Sequence, residues 1–453
     1  MTELTRDTVE TTLDHVREAL DRNDIVAAIT ALEKLKQEDQ VEVFDELDVE
    51  DQAELLPRLD PETAADIVVE LDQEDQAEIA ERVNDAALAD ILDEMEPDDA
   101  ADVIGDLPEQ RQERVLAEME DASDVRPLLI HPDESAGGLM TTSFLTLRPG
   151  MTAQDAINAL RDWHPDDEMP YYLFVVDRER KLVGVVSLRQ LLVAQPNKLV
   201  SQFMNHEVIT VQVGTDQETV ANLIKKYDFL AIPVVDLHNR LVGIITVDDI
   251  VDVIEEEATE DVYRLGGVPD EERVWSPLGF SLRKRLPWLY VNLGTAFLAA
   301  WVVSLFEGTI ARVAILAAMQ SIVAGQGGNA ATQRITIIVR SLALGEAELS
   351  DAWRVIAKEA LVGVLQGLAI ALVVGAGVAL WQSNVALGFV VGAAMMGNLI
   401  VAGLAGAGVP FALKALKIDP ALASAVIVTT FTDVCGFAFS LGLATILINY
   451  LQV

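Results

Sequence analysis

The pattern of apolar and polar positions changes character three times along the chain. Residues 1–45 carry apolar residues at helical spacing and read as amphipathic helices. From there a 12-residue period takes over, marked by Leu47, Leu59, Leu71, Val83, Met95, Leu107 and Met119. Several units open on a cap-like run: Asp60-Pro61-Glu62, Asp72-Gln73-Glu74 and Glu96-Pro97-Asp98. Proline suits a first helical turn, where its missing N–H is not needed, and carboxylates there face the positive end of the helix dipole. Each unit therefore reads as one short helix that cannot bury its apolar face alone, and stacked units make a helical-repeat solenoid.

The second regime is a duplication. Val175-Val176-Asp177 leads to Lys181-Leu182-Val183-Gly184-Val185-Val186-Ser187, and 59 residues on Val234-Val235-Asp236 leads to Arg240-Leu241-Val242-Gly243-Ile244-Ile245-Thr246. β-branched runs flanking a charged turn predict strand, turn, strand, helix in each copy. Met140 and Met204 precede matching strands, and Asp155-Ala156 and Glu218-Thr219 open matching helices. Residues 251–265 then read as one long acidic helix with Asp252, Glu256 and Glu260 on one face, and Gly266, Gly267 and Pro269 end it.

The third regime begins at Leu286. Five apolar stretches, about 286–306, 311–339, 356–381, 385–411 and 421–449, are each long enough to cross a ~30 Å hydrocarbon core. Arg283, Lys284 and Arg285 precede the first. Arg340, Arg354 and Lys358 lie between the second and third, and Lys414 and Lys417 between the fourth and fifth. The other side has only Arg312, so the N-terminus is expected in the cytoplasm and the C-terminus on the outer face of the cell membrane.

Charge sharpens this division. Residues 283–453 hold 10 Lys and Arg against 7 Asp and Glu, net +3, which leaves −44 of the total −41 on residues 1–282. So acidic a half repels nucleic acid, which is not expected as a partner, and attracts cations; solubility or salt adaptation accounts for much of it equally well. The start MTELTRDTVE is acidic with no apolar signal region, so the first half is expected to stay in the cytoplasm. Cys435 is the single cysteine and excludes an intrachain disulfide. Five histidines form neither a catalytic triad nor a zinc spacing with it, so no enzyme is indicated.

Candidate chemistry centres on Asp433, mid-span in an otherwise uncharged stretch. A carboxylate at the bilayer centre costs at least ~2.5 kcal/mol, so it faces a watery path, a helix partner, or is protonated. Thr429, Thr430 and Thr432 surround it, and oxygen-rich surroundings of one carboxylate suit a hydrated hard cation. The run Gly325-Gln326-Gly327-Gly328-Asn329 with Gln333 permits either close helix packing or a break that turns carbonyls toward a cavity. Asn398, Gly403, Gly406 and Gly408 have the same two readings, with packing favoured. An ion-coupled secondary carrier is the alternative transport class, but the five stretches show no inverted repeat.

Residues 138–258 resemble a tandem pair of CBS modules, the Bateman arrangement, on the strength of the repeated Val-Val-Asp…Leu-Val-Gly frame. The order of parts as a whole resembles the MgtE-type magnesium channels. Gly138-Leu139-Met140-Thr141, Thr246-Val247-Asp248-Asp249, Glu257-Ala258-Thr259-Glu260-Asp261, Gly327-Gly328-Asn329, Asp419-Pro420-Ala421-Leu422 and Thr432-Asp433-Val434 carry that resemblance. It implies a helical superhelix over 1–135, CBS modules over 136–199 and 200–258, a connecting plug-like helix over 259–282, and a five-span domain over 283–453. It also implies a homodimer in the bilayer, with Mg²⁺ as substrate and regulator. Asp433 would hold hydrated Mg²⁺ in a pore lined by Thr429, Thr432 and Asn329. Sensor carboxylates would be Asp98 and Asp102, then Glu218, Asp228, Asp249 and Asp252, then Glu257, Glu260 and Asp261. Some relatives bind ATP between the modules, and Tyr172, Arg189, Phe229 and Thr246 match the adenosine-contacting places. Gln190 stands where many modules have Asp, which limits the expectation to one good site per chain. Ala425-Val426 stands where relatives often carry Asn or Gly followed by Pro, so preference among Mg²⁺, Mn²⁺ and Co²⁺ is left open.

Overall fold

A computed structural model describes residues 3–163, 172–269, 272, 274 and 276–451. Two compact units divide it, Met1–Val253 and Ile254–Val453.

The first unit opens with α1 (Glu3–Asp21), α2 (Ile25–Leu32) and α3 (Gln37–Asp45). Six helices then start at 12-residue intervals: α4 (Val49–Leu55), α5 (Pro61–Val69), α6 (Gln73–Arg82), α7 (Asp85–Leu92), α8 (Pro97–Gly105) and α9 (Glu109–Glu118), before the short α10 (Ala122–Val125). From α3 to α9 each helix packs on the one two places along, which is how a solenoid buries short amphipathic faces. The period-marking residues Leu47, Leu59, Leu71, Val83, Leu107 and Met119 are buried just before these starts. Their N-cap side chains contribute less than the pattern suggests. Asn84 accepts from Ala87 N–H, whereas Asp60 and Asp72 make no cap bond. Glutamines do the capping instead. Gln52 Nε2 donates to Phe44 C=O at 2.8 Å, and Gln76 Nε2 reaches the carbonyls of Val68, Val69 and Leu71. Gln112 does the same for Gly105 and Leu107, so each closes the open C-terminus of an earlier helix.

Two three-stranded sheets follow, with the same order and sense. In the first, β1 (Thr146–Leu147) lies parallel to β2 (Tyr172–Val176), which pairs antiparallel with β3 (Leu182–Ser187). In the second, β4 (Val211–Gln212), β5 (Ala231–Val235) and β6 (Leu241–Thr246) repeat this. The register slips at Val175/Val176 and at Val234/Val235, the same place in each copy. The polar turns match too, with Arg180 and Asn239 at φ 64° and 63°. The helices are α11 (Ala153–Trp163), α12 (Leu188–Val193), α13 (Gln217–Tyr227) and α14 (Val247–Leu265).

Residues leading into the first module pack on the second sheet: Thr141 bridges Ile244, and Met140 Sδ sits 2.5 Å from where a Cβ on Gly243 would be. Met204 occupies the equivalent place over Gly184. The frame glycine of each copy is thus needed because a methionine from the preceding segment lies on it. α14 runs unbroken from Val247 to Leu265 across the expected limit at 258, and residues 278–282 belong to the next long helix. Residues 270, 271, 273 and 275 of the expected connecting stretch lie outside the described residues.

The second unit continues with α15 (Leu278–Ser304), α16 (Glu307–Arg312), α17 (Ile315–Ala343), α18 (Ala352–Trp381), α19 (Val385–Ala415), α20 (Pro420–Ile446) and α21 (Ile448–Leu451). Among the described residues four helices, α15, α18, α19 and α20, are long and apolar enough to cross a membrane. The expected second span, α17, has the length at 29 residues, but its Gln326, Asn329, Gln333 and Arg334 dilute its apolar character. α18 and α19 pack through small residues. A Cβ on Gly363 would meet Leu399 C=O at 2.7 Å, one on Gly392 would meet Ala371 C=O, and one on Gly403 would meet Glu359 C=O. Backbones that close are how helices associate where burial from water gives no driving force.

Candidate functional site

Carboxylates gather at two places, one in each unit. In the first unit, the opening turn of α8 supplies Asp98 and Asp99, with Glu96 at its N-cap. The opening turns of α14 supply Asp248, Asp249 and Asp252. Asp98 is 7% exposed, and among the described residues its Oδ1 has no hydrogen-bond partner. Burial, then Asp249 and Asp99, push its carboxyl well above the usual range. Burial and then Asp249 push Asp99 up to about 7. Burial pushes Asp249 to about 6, although Thr246 donates to its Oδ2 from both hydroxyl (2.6 Å) and N–H (3.1 Å). These like charges are unfavourable together unless a proton or a cation joins them.

Of the expected sensor residues, the fold brings together Asp98, Asp249 and Asp252, and adds Asp99. The 12-residue pattern puts Asp99 in the first turn of its helix, but the charge it meets, Asp249 on α14, is remote in sequence. Asp102 lies apart, lining a polar recess of about 160 Å³ with Gln112 and Asp133. Glu218 and Asp228 stand at the two ends of α13, Asp228 as a left-handed C-cap with φ 52°. Among the described residues no three Asp, Glu, His or Cys side chains converge closely enough to hold one ion directly. The residues expected to hold metal therefore do not form one closed cage among the described residues.

In the second unit the end of α14 carries Glu260, Asp261 and Arg264. Arg264 pairs with Glu260 one turn back and with Asp419 Oδ2 at 2.7 Å. Asp419 is the N-cap of α20, its Oδ1 accepting Ala421 N–H at 2.8 Å. Burial, then Asp419 and Glu257, push Asp261 up to about 6.

Asp433 lies half-way along α20 and is partly exposed on the single chain. Among the described residues nothing hydrogen-bonds or ion-pairs with it. The neighbouring hydroxyls donate to their own helix: Thr429 to Ala425 C=O, Thr430 to Val426 C=O and Thr432 to Thr429 C=O. Their oxygens keep lone pairs for other donors. Thr432, expected to line the path, is fully buried in the bundle. Thr429 is part-exposed and Asn329 is exposed. α17 does not break at its glycines. Gly327 instead lies under Asn398, the packing reading.

The expected second span also carries a basic residue whose counter-charge lies on α18. Arg334 in α17 is 3% exposed, pairs with Glu359 in α18 at 3.4 Å, and donates to Gln366 Oε1 at 2.6 Å. No spacing within one helix could have revealed a partner on another.

The expected adenosine-contacting residues split between the modules. Tyr172 opens β2, Arg189 is exposed on α12, Phe229 stacks on Tyr227 at 5.4 Å, and Thr246 is engaged with Asp249. In the first module the same place holds Ser187 and Gln190 in a reciprocal cap, a neutral pair.

Comparison with known proteins accounts for most of the chain. The model of the MgtE intracellular N domain matches residues 35–134, that of the CBS domain residues 136–197 and 200–256, and that of the divalent cation transporter MgtE residues 320–443. The chain is 40% identical over 331 residues to the magnesium transporter MgtE of Enterococcus faecalis, 73% of each. It is 40% identical over 337 residues to that of Thermus thermophilus, 74% of each. A crystal structure of the cytosolic domain of the Mg²⁺ channel MgtE in complex with ATP superposes with TM-score 0.50 at 37% identity, covering 53% of this chain and 99% of that one.

Proposed function

This chain belongs to the MgtE family of divalent cation transporters, and we propose that it is a Mg²⁺ channel that closes when cytosolic Mg²⁺ occupies its acidic clusters. The observation that carries the pore assignment is Asp433, a mid-helix carboxylate with no protein counter-charge among the described residues. The counter-charge is then the transported ion, held through its hydration shell because Mg²⁺ dehydrates reluctantly. In this reading α15, α17, α18, α19 and α20 all span the bilayer. α17 is allowed its polar residues because it faces protein and the ion path. The N-terminus is cytoplasmic, and two copies form the pore.

Gating follows from the carboxylate pairs. The packed arrangement of Asp98, Asp99 and Asp249 is costly when all are ionised, so a divalent ion between them favours that packing over a separated one. That is ligand-biased selection between two states. Glu257, Glu260 and Asp261 extend the scheme toward the membrane.

ATP, which the cytosolic domain of a relative holds, is a further proposed ligand. Phe229 on Tyr227 offers an aromatic surface for a base, and Thr246, Tyr172 and Arg189 offer polar contacts. Phe229→Ala should abolish ATP-induced thermal stabilisation; an unchanged shift removes this site.

Uptake into proteoliposomes tests the transport reading. Asp433→Ala is expected to abolish Mg²⁺ uptake by folded protein, and undiminished uptake would remove the pore assignment. Mn²⁺, Co²⁺ and Ca²⁺ measured beside Mg²⁺ separate a Mg²⁺ channel from a broader divalent transporter. Dependence on a Na⁺ or proton gradient would point to a carrier.

A further inference from the structure

We infer that Asn398 is a positioning residue for the Asp433 helix, a polar wedge that sets where α20 stands against α17 and thereby how the path discriminates among cations. The inference rests on the assignment of Asp433 to the ion path. Asn398 is fully buried in the middle of α19, and its Nδ2 donates to Val323 C=O on α17 at 2.9 Å. A Cβ on Gly327 of α17 would lie 2.2 Å from this nitrogen, and one on Gly436 of α20 would lie 2.8 Å from it. One amide therefore fits between three helices only because two facing positions have no side chain.

Gly436 is three residues beyond Asp433, one turn along the same helix. One turn further, Ser440 donates to Gln320 Oε1 of α17 at 2.8 Å. Thr432, Gly436 and Ser440 recur every fourth residue and form the buried row of α20, with Asp433 beside it. A steric seat for the amide at Gly436 and a hydrogen bond from Ser440, one turn apart, fix both the axial position and the rotation of α20. The depth and direction of the carboxylate follow from them.

Packing alone does not account for an asparagine here. Its Oδ1 is buried with no hydrogen-bond partner among the described residues. An unmet buried acceptor costs its full desolvation, which an apolar side chain of similar size avoids. Polar groups kept at such a cost inside membrane helices mark transport paths and the residues that shape them. A small displacement of α20 changes the gap between a carboxylate and the waters of a hydrated ion. Ions that hold their waters differently are separated at that gap.

Gly436→Ala, Asn398→Ala and the double variant, with Asp433→Ala alongside, are to be reconstituted at equal amounts of monodisperse, folded protein. Uptake of Mg²⁺ and Ca²⁺ is then compared. Gly436→Ala should raise the half-saturating Mg²⁺ concentration and lower the Mg²⁺/Ca²⁺ uptake ratio several-fold. Asn398→Ala should lower the ratio as well, and the double variant should recover much of it, since the new methyl fills the space the amide leaves. A wild-type ratio and half-saturation in Asn398→Ala overturns the wedge, as does a double variant no better than Gly436→Ala. Should Gly436→Ala fail to fold, Gly327→Ala meets the same nitrogen from the other side and carries the same expectation. If Asp433→Ala transports normally, the pore assignment falls. If it is inactive while the Asn398 variants keep the wild-type ratio, only the wedge falls.

Discussion

Arg264 and Asp419 meet at 2.7 Å, and the carboxylate that receives the guanidinium is the one that caps the helix carrying Asp433. One oxygen serves each task. The end of the acidic α14 is thus tied to the start of α20 through the Arg264 side chain. Around this contact Asp261 is held with a raised carboxyl by burial, Asp419 and Glu257, so Arg264 supplies the positive charge that the surrounding acids lack.

Two substitutions separate the tasks of Asp419. Asparagine keeps a capping oxygen, whereas alanine removes it, and losing such a cap costs about 0.5–2 kcal/mol. Asp419→Asn should leave thermal stability nearly unchanged, since a part-exposed pair contributes up to ~1 kcal/mol, yet expose residues 254–265 to protease. Asp419→Ala should in addition speed hydrogen exchange in the first turn of α20. Equal exchange in both variants would show that the cap contributes nothing.

The acidic cluster predicts an inverse dependence of stability on pH. Asp99 and Asp249 have folded pKa values of about 7 and about 6, raised above the ordinary 3.8. A carboxyl raised on folding stabilises fully below its unfolded pKa and loses that contribution as pH rises through the folded one. Without divalent ions, stability of the first unit should fall from about pH 4 to about pH 7. Mg²⁺ should flatten the slope. Asp98→Asn should raise stability at pH 7.5 and weaken the effect of Mg²⁺, as read by melting curves.

The buried Arg334–Glu359 pair predicts an asymmetry between single and double substitutions. Arg334→Leu leaves Glu359 without its partner inside the bundle, and breaking one side of such a pair costs roughly 3–5 kcal/mol. Arg334→Leu with Glu359→Leu should recover most of that loss. Melting of purified protein in detergent measures both. A double variant as unstable as the single would mean that the pair is not coupled.

Gln76 closes three carbonyls at the end of α5 and its following turn. Gln76→Ala should destabilise the solenoid by roughly 1–3 kcal/mol, the cost of leaving buried acceptors unmet. Glu81→Ala, exposed on the last turn of the same helix, should cost a few tenths at most. Hydrogen exchange over residues 61–82 resolves the two.

What the amino-acid sequence determined by itself is whatever repeats at short range. The six helix starts at 12-residue intervals, the two sheets 59 residues apart and four of the long apolar helices were legible because periodicity states which face of an element is buried. Asp433 was legible for a similar reason, as a lone charge in an apolar run. The tertiary structure decided the partners. Asp99 was drawn into the acidic cluster with Asp249, Thr432 turned inward because its row on α20 meets other helices, and Gly327 of α17 became a seat for Asn398. Arg334 and Glu359 are 25 residues apart on different helices, and Arg264 and Asp419 are 155 apart. A helix or strand pattern specifies a face, whereas the identity of the group on the opposing face depends on how distant segments are brought together.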